Sequence, residues 1–305
     1  MTSSVTRYQQ YRQAVKDELV ERVRIHQQKL ATLKAAKTAR MTLGSPLPPD
    51  PLVLLAQGDS WFDYPADGNT PTAGLYDTDI IAHLRHSGDP APQILNVAHW
   101  GETATTELSY KKQAQMVQAL GDSANWMDKG RPDAILFSGG GNDIAGDQFC
   151  VFLDYNNRGL DEDRFREALG MVEACYRDLF LFRDQFAPKV PIFGHCYDFP
   201  IPSGVGICTE GPWLWPSLHF CGYSQAQGRE ILKKVMTDFK ALLDRLAAEK
   251  NPDGSSKNNF IVVQTQNTLH PPGDWANELH PVSSGFQNLA AKFVEALRQQ
   301  FPGRI

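Results

Sequence analysis

Five short apolar runs recur through the chain: LVLLAQ (52–57), QILNVA (93–98), AILFSG (134–139), VPIFGH (190–195) and FIVVQT (260–265). Continuous apolar runs suit strands buried on both faces rather than a sheet with one wet face. Helical stretches separate them at 103–120, 161–186 and 224–250, with a last one near 284–300. Strand and helix in alternation predict a parallel sheet covered by helices on both sides. Active sites in such sheets lie beyond the carboxyl ends of the strands.

Ahead of the first run, residues 4–38 read as one long helix. Tyr8, Tyr11, Val15, Leu19, Val23, Leu30 and Leu33 recur at spacings of three, four or seven and make an apolar stripe. Residues 1–40 hold nine Lys/Arg against three Asp/Glu, a charge of +6, which leaves −11 for the rest of a chain whose net charge is −5. Such a basic helix either docks on a protein partner or an anionic surface, or packs on its own domain with its basic face in water. MTLGSPLPPDP (41–51) breaks the helix as a linker. The expected organisation is a helix in 1–40, a linker in 41–51 and one domain over 52–305.

The negative net charge gives no general case for nucleic-acid binding. No run of 18 apolar residues predicts a membrane span. The start of the chain lacks an apolar signal-peptide core, and five cysteines, an odd number, suit a reduced interior. A cytoplasmic location is expected, with export by a dedicated machine left open.

The strand ends carry the chemistry. The first run leads into Gly58-Asp59-Ser60 and then Trp61, Phe62 and Tyr64. The second leads into His99-Trp100-Gly101, and the third into Ser138-Gly139-Gly140-Gly141-Asn142-Asp143. The fifth leads into HPPGDWANELHP, with His270, Asp274, Asn277 and His280. These blocks resemble those of the SGNH, or GDSL-type, serine hydrolases. Gly58-Asp59-Ser60 matches the nucleophile block, with Trp61 where many members have Leu. Gly101 matches the glycine block and Gly140-Gly141-Asn142-Asp143 the Gly-x-Asn-Asp block. Asn277-Glu278-Leu279-His280 stands where the family has Asp-x-x-His, so its histidine matches and its aspartate does not. The blocks come in family order and span residues 52 to about 300.

The resemblance implies a flavodoxin-like three-layer α/β/α sandwich and a cofactor-free ester hydrolase. Ser60 would be the nucleophile and His280 its base, with the N–H groups of Ser60 and Gly101 and the Asn142 amide as the oxyanion hole. Three groups could orient His280: Asn277, a backbone carbonyl, or Asp274 six residues ahead of it. Asp59 and Asp143 are expected to be structural.

The stretch 196–222 is long, irregular and aromatic, and reads as a lid or acyl-group wall. Trp213 and Trp215 join Trp61, Phe62 and Tyr64 as candidate substrate contacts, although Trp61, Phe62 and Tyr64 could equally be core. Cys208 and Cys221 could pair in oxidising surroundings. The expected substrate is a small-molecule or lipid ester. A carbohydrate acetylesterase, a thioesterase or a catalytically idle binding protein are the alternatives.

Several other readings are weaker. Gly121-Asp122-Ser123 repeats the tripeptide but follows a helix, as a stop and cap. Gly139–Gly141 lacks the Gly-Lys-Ser/Thr ending of a phosphate loop. His270, Asp274, His280 and Asp59 have no spacing that fixes a metal geometry. His99 is expected near the site, and His26, His83 and His86 on helix surfaces.

Overall fold

Each apolar run forms a strand in the computed structural model, which describes residues 4–64, 78–156, 158–207 and 211–305. The strands are β1 (Val53–Gly58), β2 (Gln93–Asn96), β3 (Ala134–Ser138), β4 (Ile192–His195) and β5 (Phe260–Val263). All pair in parallel, in the order β2-β1-β3-β4-β5. β1 lies inside the sheet, Leu54 opposite Ile94 on one side and Ala134 on the other, and every residue of it is buried. Gly58 ends it because a Cβ there would meet the backbone oxygen of Ser138 at 2.7 Å.

Helices α1 (Ser4–Thr42), α2 (Ile80–Leu84), α3 (Ala104–Glu107), α4 (Tyr110–Gly121) and α5 (Gly141–Ile144) belong to the first half. The second half adds α6 (Glu162–Phe186), α7 (Trp215–Phe220), α8 (Gln225–Ala248) and α9 (Ser283–Gln300). α2 packs on α9, α6 on α8, and both α8 and α9 on β5, so the parallel α/β architecture is as expected. The helix expected over 103–120 is two helices. Thr103 and Thr106 form a capping box that starts α3, and the chain restarts at Ser109. Gly121-Asp122-Ser123 is a stop and cap: α4 ends at Gly121, and the Asp122 carboxylate accepts from the Ala124 N–H.

α1 runs four residues beyond its expected end and packs on its own chain, against β2 and the turn at 123–125. Leu30 is fully buried, while Leu19, Val23 and Leu33 lean on the core. The side chains of Tyr8 and Tyr11 lie outside the described residues. His26, expected on the helix surface, is instead buried, with Nε2 2.9 Å from the Asn125 carbonyl oxygen. Burial holds it neutral, its pKa down at about 4. Arg22 reaches further: it bonds Asp63 at 2.5 Å, Glu18, and the Ala98 carbonyl at the end of β2. Among the described residues no helix is long and apolar enough to cross a membrane.

Candidate active site

The turn after β1 is fixed from beneath. Asp59 is buried, and its carboxylate accepts from the Trp61 N–H, the Ser138 hydroxyl and the Tyr197 hydroxyl, at 3.0, 2.7 and 2.5 Å. Ser138 gives its proton to Asp59, so it accepts from His195 Nε2 at 2.8 Å, while His195 Nδ1 accepts from the Tyr197 N–H at 3.3 Å. Burial pushes the Asp59 carboxyl up to about 6, against the pull of its three donors, and holds His195 neutral at about 3. The structural role expected of Asp59 follows directly: it braces the turn that presents Ser60.

Above that turn, Ser60 Oγ lies 2.7 Å from His280 Nε2, although 220 residues separate them in the chain. The other ring nitrogen, Nδ1, lies 3.0 Å from Asn277 Oδ1. That oxygen also accepts from the backbone N–H groups of Leu279 and His280, at 3.0 and 2.9 Å. Two backbone donors fix which end of the amide is oxygen, and an amide oxygen only accepts. His280 Nδ1 therefore carries the proton, and the Nε2 lone pair faces Ser60. Burial holds the ring neutral, its pKa down at about 3.

Asp274 is half-buried and faces elsewhere. Its carboxylate accepts from the His270 N–H at 2.8 Å, closing a local turn. Among the described residues no group of three His, Cys, Asp or Glu could hold a metal ion.

Asn142 opens α5 beside Ser60, and its Nδ2 donates to the Glu102 carbonyl at 2.7 Å. The neighbouring Asp143 accepts from the Ala104 N–H at 2.8 Å, so this pair tethers the Gly101–Ala104 segment. Gly101 turns that segment at φ +75, a conformation that favours glycine. His99, expected near the site, has Nδ1 3.6 Å from the Asp63 carboxylate. Ser60, Asn142 and His280 line one cavity with Trp61, Ala145, Tyr197, Pro200, Met236 and Leu279; Gly101 is not among its lining residues. The cavity measures only about 30 Å³. A larger one of about 240 Å³ opens between α1 and α4, over Val97 and Ala98, and includes neither Ser60 nor His280.

The candidate aromatic contacts divide. Tyr64 stands with its ring 4.7 Å from that of His280, and its hydroxyl accepts from Asn277 Nδ2 at 3.2 Å. Trp213 stands edge to face on His280 at 5.6 Å. Trp61 lines the cavity but is mostly core, stacked on His195, with its indole N–H on the Leu279 carbonyl. Phe62 is corrected to core: it is fully buried between His195 and Phe293, with no surface to offer a substrate. Trp215 lies against Gly204 and His219, away from the serine. Of the expected Cys208–Cys221 pair, Cys208 lies outside the described residues.

Sequence reasoning passed over Glu278. It is fully buried, and its carboxylate accepts four backbone N–H groups, from Gly204, Trp213, Leu214 and Trp215. Asp198 does similar work nearby, accepting from Phe199, Asn267, Thr268 and Leu269 to shape the segment after β5. Backbone donors leave no mark in a sequence, so neither carboxylate had a signal to find.

No protein-family model matches the chain. No curated protein matches it. Solved structures do. The lipase Lip_vut3 from a goat rumen metagenome matches with a TM-score of 0.51 at 17% identity, over 80% of this chain and 97% of that one. An extracellular lipase from Streptomyces rimosus matches with a TM-score of 0.50 at 18% identity, over 80% of this chain and 98% of that one. At such identities the likeness is one of fold. The chain shares the parallel α/β fold of these lipases.

Proposed function

We propose that this protein is a cofactor-free serine hydrolase of carboxylic esters, with Ser60 as nucleophile and His280 as base. The observation that carries the reading is the 2.7 Å contact of Ser60 Oγ with an imidazole whose lone pair is turned toward it. As Ser60 attacks the ester carbonyl, its proton passes to His280 Nε2. The imidazolium then gives that proton to the departing alcohol, and water repeats the sequence on the acyl-serine. Negative charge gathers on the former carbonyl oxygen, where the N–H groups of Ser60 and Gly101 and the Asn142 amide would meet it. Asn142 has two amide protons and spends one on Glu102, so the other is available.

The neutral Asn277 orients the ring but supplies no charge to the imidazolium, so turnover should be slower than with a carboxylate there. The site's size also guides the substrate. A cavity of about 30 Å³ suits a short acyl group better than a fatty chain. This favours an acetylesterase over a lipase, and shifts the emphasis from lipids to acetylated small molecules.

The test is labelling by a fluorophosphonate probe, followed by a chain-length series of p-nitrophenyl esters. Ser60→Ala should abolish labelling and hydrolysis, and Ser123→Ala should change neither. Labelling that survives Ser60→Ala overturns the assignment. An unlabelled wild-type protein would instead be a binding module that keeps the pocket.

A further inference from the structure

We propose that Glu278 is a positioning residue that sets acyl-chain selectivity, by clamping the 200–205 and 213–215 segments around the site. The proposal rests on the hydrolase reading and deepens it. Glu278 sits between Asn277 and His280 in the chain and is fully buried. Its Oε1 accepts from Gly204 at 2.9 Å and Trp215 at 3.0 Å, and its Oε2 from Trp213 at 2.7 Å and Leu214 at 2.6 Å. Its own backbone joins the same segments, the N–H to Val205 at 3.2 Å and the carbonyl from Ile201 at 3.0 Å. Among the described residues no Lys or Arg pairs with it, so its charge is met by backbone N–H groups. A carboxylate accepting several such bonds is a strong and directional tether.

What it holds matters for the substrate. Pro200, one residue before the tethered Ile201, and Leu279, one residue after Glu278, both line the cavity over Ser60. Trp213, tethered through its N–H, stands edge to face on the His280 ring. The clamp therefore fixes one wall of a small cavity and the packing of the base at once. An amide cannot replace it, because glutamine has a single acceptor oxygen and its NH₂ group would face two N–H donors.

The experiment compares kcat/KM on p-nitrophenyl acetate, butyrate and octanoate for the wild type, Glu278→Gln, Pro200→Ala and the double variant. The wild type should prefer acetate. Glu278→Gln should reduce the acetate-to-octanoate ratio by about tenfold or more, as expected when a pocket admits several further methylenes. Pro200→Ala, which trims the wall itself, should shift the ratio the same way, and the double variant should shift it little further, since both relax one wall. A Glu278→Gln variant that loses the same factor on every ester overturns the proposal, because that is what a merely structural role would give. Should Glu278→Gln not fold, an unchanged ratio in Pro200→Ala overturns it equally. A wild type that neither labels nor hydrolyses sinks the hydrolase reading instead, which separates the two failures.

Discussion

His280, the proposed base, has its ring oriented by an amide, and its acid limb should show it. Its pKa lies at about 3 because burial penalises the imidazolium and no carboxylate rewards it. The kcat/KM of the wild type should therefore stay flat on the acid side down to about pH 4. Asn277→Asp places a negative charge 3.0 Å from Nδ1, which favours the charged ring. That variant should raise kcat/KM at neutral pH and move the acid limb upward; a limb left in place overturns the account. Asp274→Asn should change little, because that carboxylate bonds the His270 N–H. Asn142→Ala should lower kcat by roughly 10²–10³-fold with less effect on KM, as loss of one oxyanion donor does. Ser60 and Asn142 were legible because each follows a strand in a recognisable block, and His280 because its block leads into the last helix. Phe62 was not: an aromatic beside a nucleophile reads alike whether it faces the pocket or the core, and only packing decides.

Among the elements, α1 takes the second of its two expected places, packed on its own domain. Arg22 and Asp63 have side chains 9% and 6% exposed and form a nearly buried ion pair, with Glu18 beside the arginine and His99 beside the aspartate. Arg22→Ala leaves Asp63 buried without its partner, and such breaks cost about 3–5 kcal/mol. Arg22→Met combined with Asp63→Asn should recover most of that loss, which urea unfolding followed by circular dichroism would measure. Removing residues 1–40 should abolish cooperative unfolding, because it strips Leu30 and Arg22 from their seats; a truncated protein that unfolds cooperatively overturns this. The strands were legible because each is built around a short apolar run between helical stretches. The seat of α1 was not, because Arg22 finds Asp63 41 residues away and Ala98 76 away, which no helical period records.

For the whole molecule, two sets of buried groups titrate in opposite senses. Asp59 and Asp79 hold folded pKa values of about 6 and 8 against an ordinary 3.8, chiefly through burial, and Glu107 is raised well above its own range. Their stability contribution is full below about pH 4 and falls as pH rises through those folded values. His26, His195 and His280 lie at about 4, 3 and 3 against 6.5, so theirs is full above 6.5 and lost as pH falls. The sets oppose each other between about pH 4 and 6. Above 6.5 Asp79 still acts, costing about 1.4 kcal/mol per pH unit up to its folded value near 8. The thermal midpoint should be lower at pH 8.5 than at pH 6, and a rise overturns this balance. The docking of α1 also orders events in time. His26 bonds the carbonyl of Asn125, 99 residues further on. At about 5–20 residues per second, a ribosome needs roughly 5–20 s to make that distance. The 39 residues of α1 thus precede their seat in the sheet by that interval, and their apolar stripe is covered only once the chain around Asn125 has been made.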